Sequence, residues 1–368
     1  MRIGENIYKR KDGRWEGRYV KGRKKNGKTK FGYVYASTLN DVRNKLYPLK
    51  AKYHNLREEQ GETILSFQEW GEYWLATIKR EVKESTYSNY LYKLHHYVTP
   101  VIGTKSMNEL TTETGHVLLK DLEEKGLKDS TIEAIFRITI QCLDYAQKRK
   151  IIKSNSFKLL KINKQKKTKR KSLTRNEQRS LEEQALKEKN GNGIPTILAL
   201  HTGLRIGEIS ALKWEDIDFE SNVIHVRHTY QRILSNQEER KTTLVYTNSK
   251  TENSARVVPM TKKLKTILKN HKKEASGPYV FSCKSLPKEP RLLTYHFHKI
   301  TKKVQLSHVH FHQLRHTFAT RCIEMKGDIS SISALLGHSS TQLTLDTYVD
   351  ALLEQRVKVI SQMEKAIR

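Results

Sequence analysis

Residues 161–172 read KINKQKKTKRKS, a basic run without apolar periodicity. Such a stretch has nothing to bury, so it is expected to be a linker, and the segments on either side must each fold around their own core. At 368 residues the chain is long for one core, and roughly two or three domains are expected. The boundaries read from pattern are residues 1–60, 61–160 and 173–368, with 161–172 between the last two.

Residues 1–60 predict a three-stranded sheet and then a helix. IYKR, KDG and RWEGRYV read as strand, turn and strand, KKNGK supplies an Asn-Gly turn, and TKFGYVYAS is a third strand. Ser37 or Thr38 is placed to cap the helix. Alternation puts Arg14, Glu16, Arg18 and Val20 on one face of the second strand and Trp15 and Tyr19 on the other, while Phe31, Tyr33 and Tyr35 align in the third. The expected arrangement has one face packing aromatics on the helix and the other showing Arg and Lys.

Residues 61–160 predict a compact helical domain. Phe67, Trp70, Trp74 and Ile78 recur at helical spacing, as do Tyr87, Leu91 and Leu94, with Ser85, Thr112 and Ser130 as candidate caps. Residues 173–368 predict a mixed α/β unit. LTRNEQRSLEEQAL, IPTILALHT, GEISALKW and TKKLKTILKNHKK read as helices, and NVIHVRHTY, TTLVYTNSK and SARVVPM as strands of one small sheet. The fold class is therefore multidomain and mainly α with small β-sheets.

Lys and Arg number 69 against 39 Asp and Glu, a formal net charge of +30. A chain this basic is expected to bind a polyanion, with nucleic acid ahead of an anionic membrane surface, because a periodic phosphate backbone rewards many cationic contacts through counterion release. No apolar stretch approaches the length that spans a bilayer, and MRIGENIYKRKDGRW lacks the apolar segment of a signal peptide, so an intracellular protein is expected. Cys142, Cys283 and Cys322 are scattered, which argues for reduced thiols filling core space rather than a disulfide framework or a zinc site.

If the substrate is a phosphodiester, a catalyst needs cations to take up charge on phosphorus, an activated nucleophile and a proton for the leaving oxygen. Arg205, in HTGLRIGEISALKW, comes just after a glycine turn at a helix start. It can either clamp an anion or simply pair with Glu208 inside the domain. In FHQLRHT, His312 and Arg315 lie three apart and share a helical face. In SHVHFHQLRH, His308, His310 and His312 alternate, and on a strand all three would point one way as metal ligands do, yet no carboxylate or cysteine stands beside them. In LLGHSS, Gly337 resembles a helix C-cap and His338 begins a loop or the next helix. Lys250, in TNSKTENSARVV, sits on a hairpin tip and is a candidate proton donor, with Lys241 as the less favoured alternative. Tyr348, in LTLDTYVDALLEQR, either packs or attacks. A free phenol titrates at about 10, and nearby Arg and His⁺ charge would favour its anion.

TGLRIGE, HQLRHTFAT, LLGHSS and TLDTYVD, in that order and at that spacing, resemble the motifs of the tyrosine recombinase (phage integrase) family. The resemblance covers residues 173–368. It implies that Arg205, Lys250, His312, Arg315, His338 and Tyr348 are the catalytic set, with Glu208 accessory. It implies a core-binding domain in 61–160 and an arm-type DNA-binding domain in 1–60, for which Arg14, Arg18, Lys28 and Lys30 are the candidate DNA contacts. The implied chemistry is attack by Tyr348 on DNA to give a 3′-phosphotyrosine ester, and strand exchange through a Holliday junction in a homotetramer. Because that ester conserves the bond, no cofactor and no metal are expected. The implied partners are double-stranded attachment sites, an excisionase and a DNA-bending host factor, in a prokaryotic cytoplasm at the nucleoid. The closing stretch, with Leu353, Val357, Ile360 and Met363 on one stripe, either packs on its own domain or, as the resemblance suggests, docks on a neighbouring protomer. A type IB topoisomerase, a non-catalytic DNA-binding regulator and a metal-dependent nuclease are the competing readings.

Overall fold

Alternation in the first sixty residues is realised as an antiparallel sheet backed by one helix. The computed structural model describes residues 2–3, 5–23, 28–60, 65–162, 172–235, 242–248, 255–275, 277–283, 286–337, 360–361 and 363–364. Two units divide the chain, Met1–Lys167 with Leu234–Asn236, and Thr168–Ile233 with Gln237–Arg368. The two N-terminal modules read from sequence fall within the first unit. The Asn-Gly turn and most of the basic linker lie outside the described residues.

In the first unit β1 (Arg2–Ile3), β2 (Ile7–Lys9), β3 (Trp15–Arg23) and β4 (Thr29–Ala36) pair in chain order, all antiparallel, so a two-residue strand joins the three expected. Helix α1 (Leu39–Gln60) is capped by Thr38, whose Oγ1 accepts the Asp41 N–H at 3.2 Å. Its Val42 and Leu46 pack on Ile7 and Tyr19. Gly17 permits this, since a Cβ there would meet Leu46, Val34 and Val42 at 3.0 Å each.

The strand register corrects the expected faces. Arg18 lies opposite Tyr33, and Glu16 opposite Tyr35. The aromatics of β4 therefore share the open face with the arginines, while Trp15 and Tyr19 of β3 turn towards α1 with Ile7 and Val34. Arg18 lies 4.2 Å over the Phe31 ring, and Arg14 lies 6.0 Å over Tyr35. Tyr53 of α1 donates to Glu109 Oε1 at 2.9 Å, and Lys153 Nζ donates to Glu58 O at 2.7 Å, which ties the sheet module to the helical module of the same unit.

The helical module comprises α2 (Phe67–Ile78), α3 (Glu84–Lys93), a π-helical turn Leu94–Val98, α4 (Thr99–Ile102), α5 (Thr112–Glu124) and α6 (Asp129–Lys148). A reciprocal Ser66–Glu69 capping box starts α2. Its stripe of Phe67, Trp70, Trp74 and Ile78 is buried, as sequence spacing predicts, against Leu118, Phe136 and Leu143. The caps differ from expectation by a residue or two. Lys83 precedes α3, Thr111 caps α5, and Lys128 precedes α6. Each N-cap position thus lies one or two residues before the expected hydroxyl, a shift that residue type alone does not encode.

The second unit opens with α7 (Arg175–Leu186), α8 (Ile194–Thr202) and α9 (Ile206–Ala211). Helix α8 is apolar almost all round and accordingly sits buried from Pro195 to Leu200. The expected single sheet is two. β5 (Ile217–Asp218), β6 (Val223–Val226) and β9 (Arg256–Pro259) form one, and β7 (His228–Leu234) pairs with β8 (Thr242–Asn248) in the other. The break falls at Arg227, between β6 and β7. There follow α10 (Lys262–Lys273), a hairpin of β10 (Ser282–Cys283) and β11 (Leu286–Pro287), α11 (Pro290–Lys303), α12 (His312–Glu324) and α13 (Ile329–Leu336). Ile197, Ile209, Ile224, Val258, Phe297 and Leu314 lie in one core. Cys142 and Cys322 are free thiols. Among the described residues no helix is long and apolar enough to cross a membrane.

Candidate functional site

The site is built where three backbone ends meet in the second unit. Helix α8 ends on Gly203, whose φ of +67° is left-handed and whose position admits no side chain, because a Cβ would lie 2.6 Å from Phe318 and 2.9 Å from Leu336. Two residues later Arg205 is the N-cap of α9. Helix α13 ends on Gly337, also left-handed at φ +62°.

Three arginines join these ends. Arg315, on α12 and 3 % exposed, donates through Nη1 to Gly203 O at 2.8 Å and through Nη2 to Leu336 O at 2.5 Å. Arg205 Nη2 donates to Gly337 O at 3.2 Å, and Arg256 Nε to Leu335 O at 2.7 Å. Three consecutive carbonyls at the end of α13 are thus each held by a different guanidinium, at the negative end of the helix dipole. The planar fork of arginine suits this task, since one group can reach two oxygens in a fixed geometry.

Glu208 lies among them, 8 % exposed. It accepts the Arg205 N–H at 2.8 Å, Arg205 Nη1 at 2.8 Å, and a two-pronged pair from Arg256 at 3.0 and 2.8 Å. The expected Arg205–Glu208 pair is therefore present within a larger network. Burial alone would raise the Glu208 carboxyl. The hydrogen bond and charge of Arg256, with the charge of Arg205, outweigh it and hold the group at about 2 against an ordinary 4.5. Three guanidiniums against one carboxylate leave a surplus of two positive charges.

The depressed carboxyl has a stability consequence. Its contribution is complete above pH 4.5 and is lost as pH falls through about 2. It amounts to roughly 3 kcal/mol. Urea unfolding across that window should show wild type losing its stability advantage over Glu208→Gln as acid is added. A difference between the two proteins that stays constant with pH contradicts the assignment.

Of the residues read from sequence, the structure brings Arg205, Arg315 and Glu208 together. His312 begins α12 on the exposed side, its ring edge-on to His316 at 4.8 Å. The alternating-strand alternative for His308, His310 and His312 is not realised, because residues 307–311 form turn and irregular backbone and His312 opens a helix, and the described residues hold no cluster of three or more metal-ligating side chains. Lys250, Lys241, His338 and Tyr348 lie outside the described residues, as do Leu353 and Val357; Ile360 and Met363 are exposed. On the N-terminal sheet Arg14 and Arg18 stand on the open face. Lys28 is exposed ahead of β4, and Lys30 alternates away from Phe31.

Arg256 was missed by sequence reasoning. The signal was strand alternation. Val258 is 1 % exposed and Val257 50 %, so Arg256 falls on the buried face of β9, where a charge demands a partner.

An arginine cluster with surplus positive charge, framed by helix ends, has the chemistry to attract an anion. Comparison with known proteins makes the class specific. Residues 171–355, half of the chain, match the phage integrase family, and residues 66–122 match the phage integrase N-terminal SAM-like domain. The chain belongs to the phage integrase family and is a tyrosine-type site-specific recombinase. A "Tyrosine recombinase XerC-like" protein of Caldanaerobacter subterraneus subsp. tengcongensis is 30% identical over 187 residues, 45% of this chain and 47% of that protein, so the chain spans about half the length of that relative. The ICEBs1 integrase of Bacillus subtilis is 25% identical over 334 residues, 85% of this chain and 86% of that one. Among solved structures, the Tn1549 transposon integrase in complex with a circular intermediate DNA matches with a TM-score of 0.66 at 20% identity, over 79% of this chain and 99% of that one. A lambda integrase tetramer bound to a Holliday junction matches at 0.60 and 17% identity, over 94% and 96%. These structures share the multidomain, mainly helical fold with its small sheets.

Proposed function

We propose that this recombinase integrates and excises a mobile element at double-stranded DNA attachment sites, with Tyr348 as nucleophile. Arg205 and Arg315 hold the non-bridging oxygens of the scissile phosphate, and His338 adds a third hydrogen bond. His312 assists removal of the Tyr348 proton. The phenolate attacks phosphorus, a 3′-phosphotyrosine ester forms, and the 5′-oxygen leaves with a proton from Lys250. The 5′-hydroxyl of a partner strand reverses the step, and two rounds exchange four strands through a Holliday junction. Residues 173–368 act as the catalytic domain, 61–160 as the core-binding domain, and 1–60 as an arm-binding domain whose open face of Arg14, Arg18, Tyr33 and Tyr35 lies on DNA.

The observation that carries this reading is the placing of two arginines, from α9 and α12, on the last carbonyls of α13, immediately before His338. The surplus positive charge there is what a phosphorane-like transition state requires. A tetramer on DNA is supported by the lambda integrase assembly. An excisionase and a DNA-bending host factor complete the proposed partners, with the nucleoid as the site of action.

A plasmid carrying two copies of the element's own attachment site tests the proposal. Recombinant circles and a covalent protein–DNA adduct are expected, equally with and without EDTA. Relaxation of supercoils that is indifferent to the paired sites would identify a topoisomerase instead.

A further inference from the structure

Arg256 takes no part in the mechanism above, yet all three of its guanidinium nitrogens are engaged. Its side chain is 6 % exposed against 40 % for Arg205, and its fork covers both oxygens of Glu208. The remaining nitrogen, Nε, caps Leu335 O. The buried face of β9 gives it no other direction, since Val226 and Ile224 across the sheet and Val258 beside it fill that side.

The electrostatics reflect this division of labour. Glu208 is a buried anion at the root of α9, bonded to the backbone N–H of Arg205. With Arg205 as its sole counterion, the carboxylate would hold that guanidinium as a neutral pair, and a docked phosphate would compete with it. Arg256 instead supplies a two-pronged partner, which leaves the more exposed guanidinium of Arg205 with charge to give to a substrate anion.

We infer that Arg256 is a positioning residue of the recombinase: it neutralises Glu208 so that Arg205 is available to the scissile phosphate, and through Leu335 it fixes the end of α13, two residues short of His338. This rests on the proposed roles of Arg205 and His338. No contact of Arg256 with DNA is involved.

The test uses the full-length protein and a nicked attachment-site duplex that traps the covalent adduct. Cleavage rate at saturating DNA, DNA affinity and melting temperature are measured for wild type, Arg256→Gln, Arg256→Lys, Glu208→Gln and the double variant Arg256→Gln/Glu208→Gln. Arg256→Gln is expected to cut about 100-fold more slowly, the scale of losing one transition-state donor, with affinity within about threefold of wild type. Removing the anion as well should restore at least about tenfold of that rate, because the double variant no longer holds an unpaired carboxylate against Arg205. On a duplex with a neutral methylphosphonate at the scissile position, which asks less of the cationic clamp, the deficit of Arg256→Gln should shrink by about tenfold. A purely structural role would move melting temperature but neither of these ratios. Should Arg256→Gln fail to fold, Arg256→Lys, which keeps the charge and loses the fork, carries the same comparison on both substrates. Cleavage by the variants within about threefold of wild type, or a deficit unchanged by Glu208→Gln and by the neutral phosphonate, overturns the inference while wild type still forms adduct. A wild type that forms no adduct on its own site overturns the functional reading, and the inference with it.

Discussion

Tyr348→Phe is expected to abolish the covalent adduct and all recombinant product while leaving DNA affinity at the wild-type value. The change removes one oxygen and nothing else, so packing of the ring is preserved and only the nucleophile is lost. Losses of this kind reach about a millionfold when a covalent nucleophile is deleted, which places residual activity below detection. The readouts are adduct on a nicked site and band-shift affinity on the intact one. Equal adduct from wild type and Tyr348→Phe would assign the attack to another residue. Loss of binding together with cleavage would point to a packing role for the ring.

Arg315→Ala carries the second largest effect, and it is felt in both stability and chemistry. The guanidinium is buried and spans Gly203 O and Leu336 O. Truncation strands two buried carbonyls and detaches the end of α13 from the end of α8, at a cost of about 3 kcal/mol. Cleavage at saturating DNA should fall by a further factor of about 10²–10³, since the same group is proposed to take up transition-state charge. Arg315→Lys keeps the charge but cannot hold both carbonyls with one planar fork, so it should recover some cleavage and little stability. Denaturant unfolding together with single-turnover cleavage separates the two losses. A variant with wild-type stability, or one whose cleavage loss is explained entirely by its unfolded fraction, would contradict this dual role.

The features of the arginine cluster that were legible have local signals. TGLR and LLGH each place a glycine at the end of an apolar helical run, and both glycines are left-handed C-caps in the structure. The three-residue step from His312 to Arg315 falls within the first turn of α12. The helical core was legible for the same reason, through the stripe of Phe67, Trp70, Trp74 and Ile78.

The illegible features depend on pairing between strands. Which face of β4 carries Phe31 and Tyr33 is set by its register against β3, and a single-residue difference exchanges the faces. The division of the expected sheet at Arg227 likewise results from β9 pairing with β6 across the whole of β7 and β8. Arg256 belongs to that non-local class. Its partner Glu208 lies on a helix remote in sequence, and only the burial of its strand face marks it as engaged.

Isolation of the adduct from a nicked attachment site, digestion of both protein and DNA, and sequencing of the phosphorylated peptide test the central claim most directly. The account predicts one nucleotide-bearing peptide, modified at Tyr348 and linked to a DNA 3′ end, whose yield collapses in Arg205→Ala and Arg315→Ala. A linkage to any other side chain or to a 5′ end, or a yield indifferent to those two arginines, would contradict it.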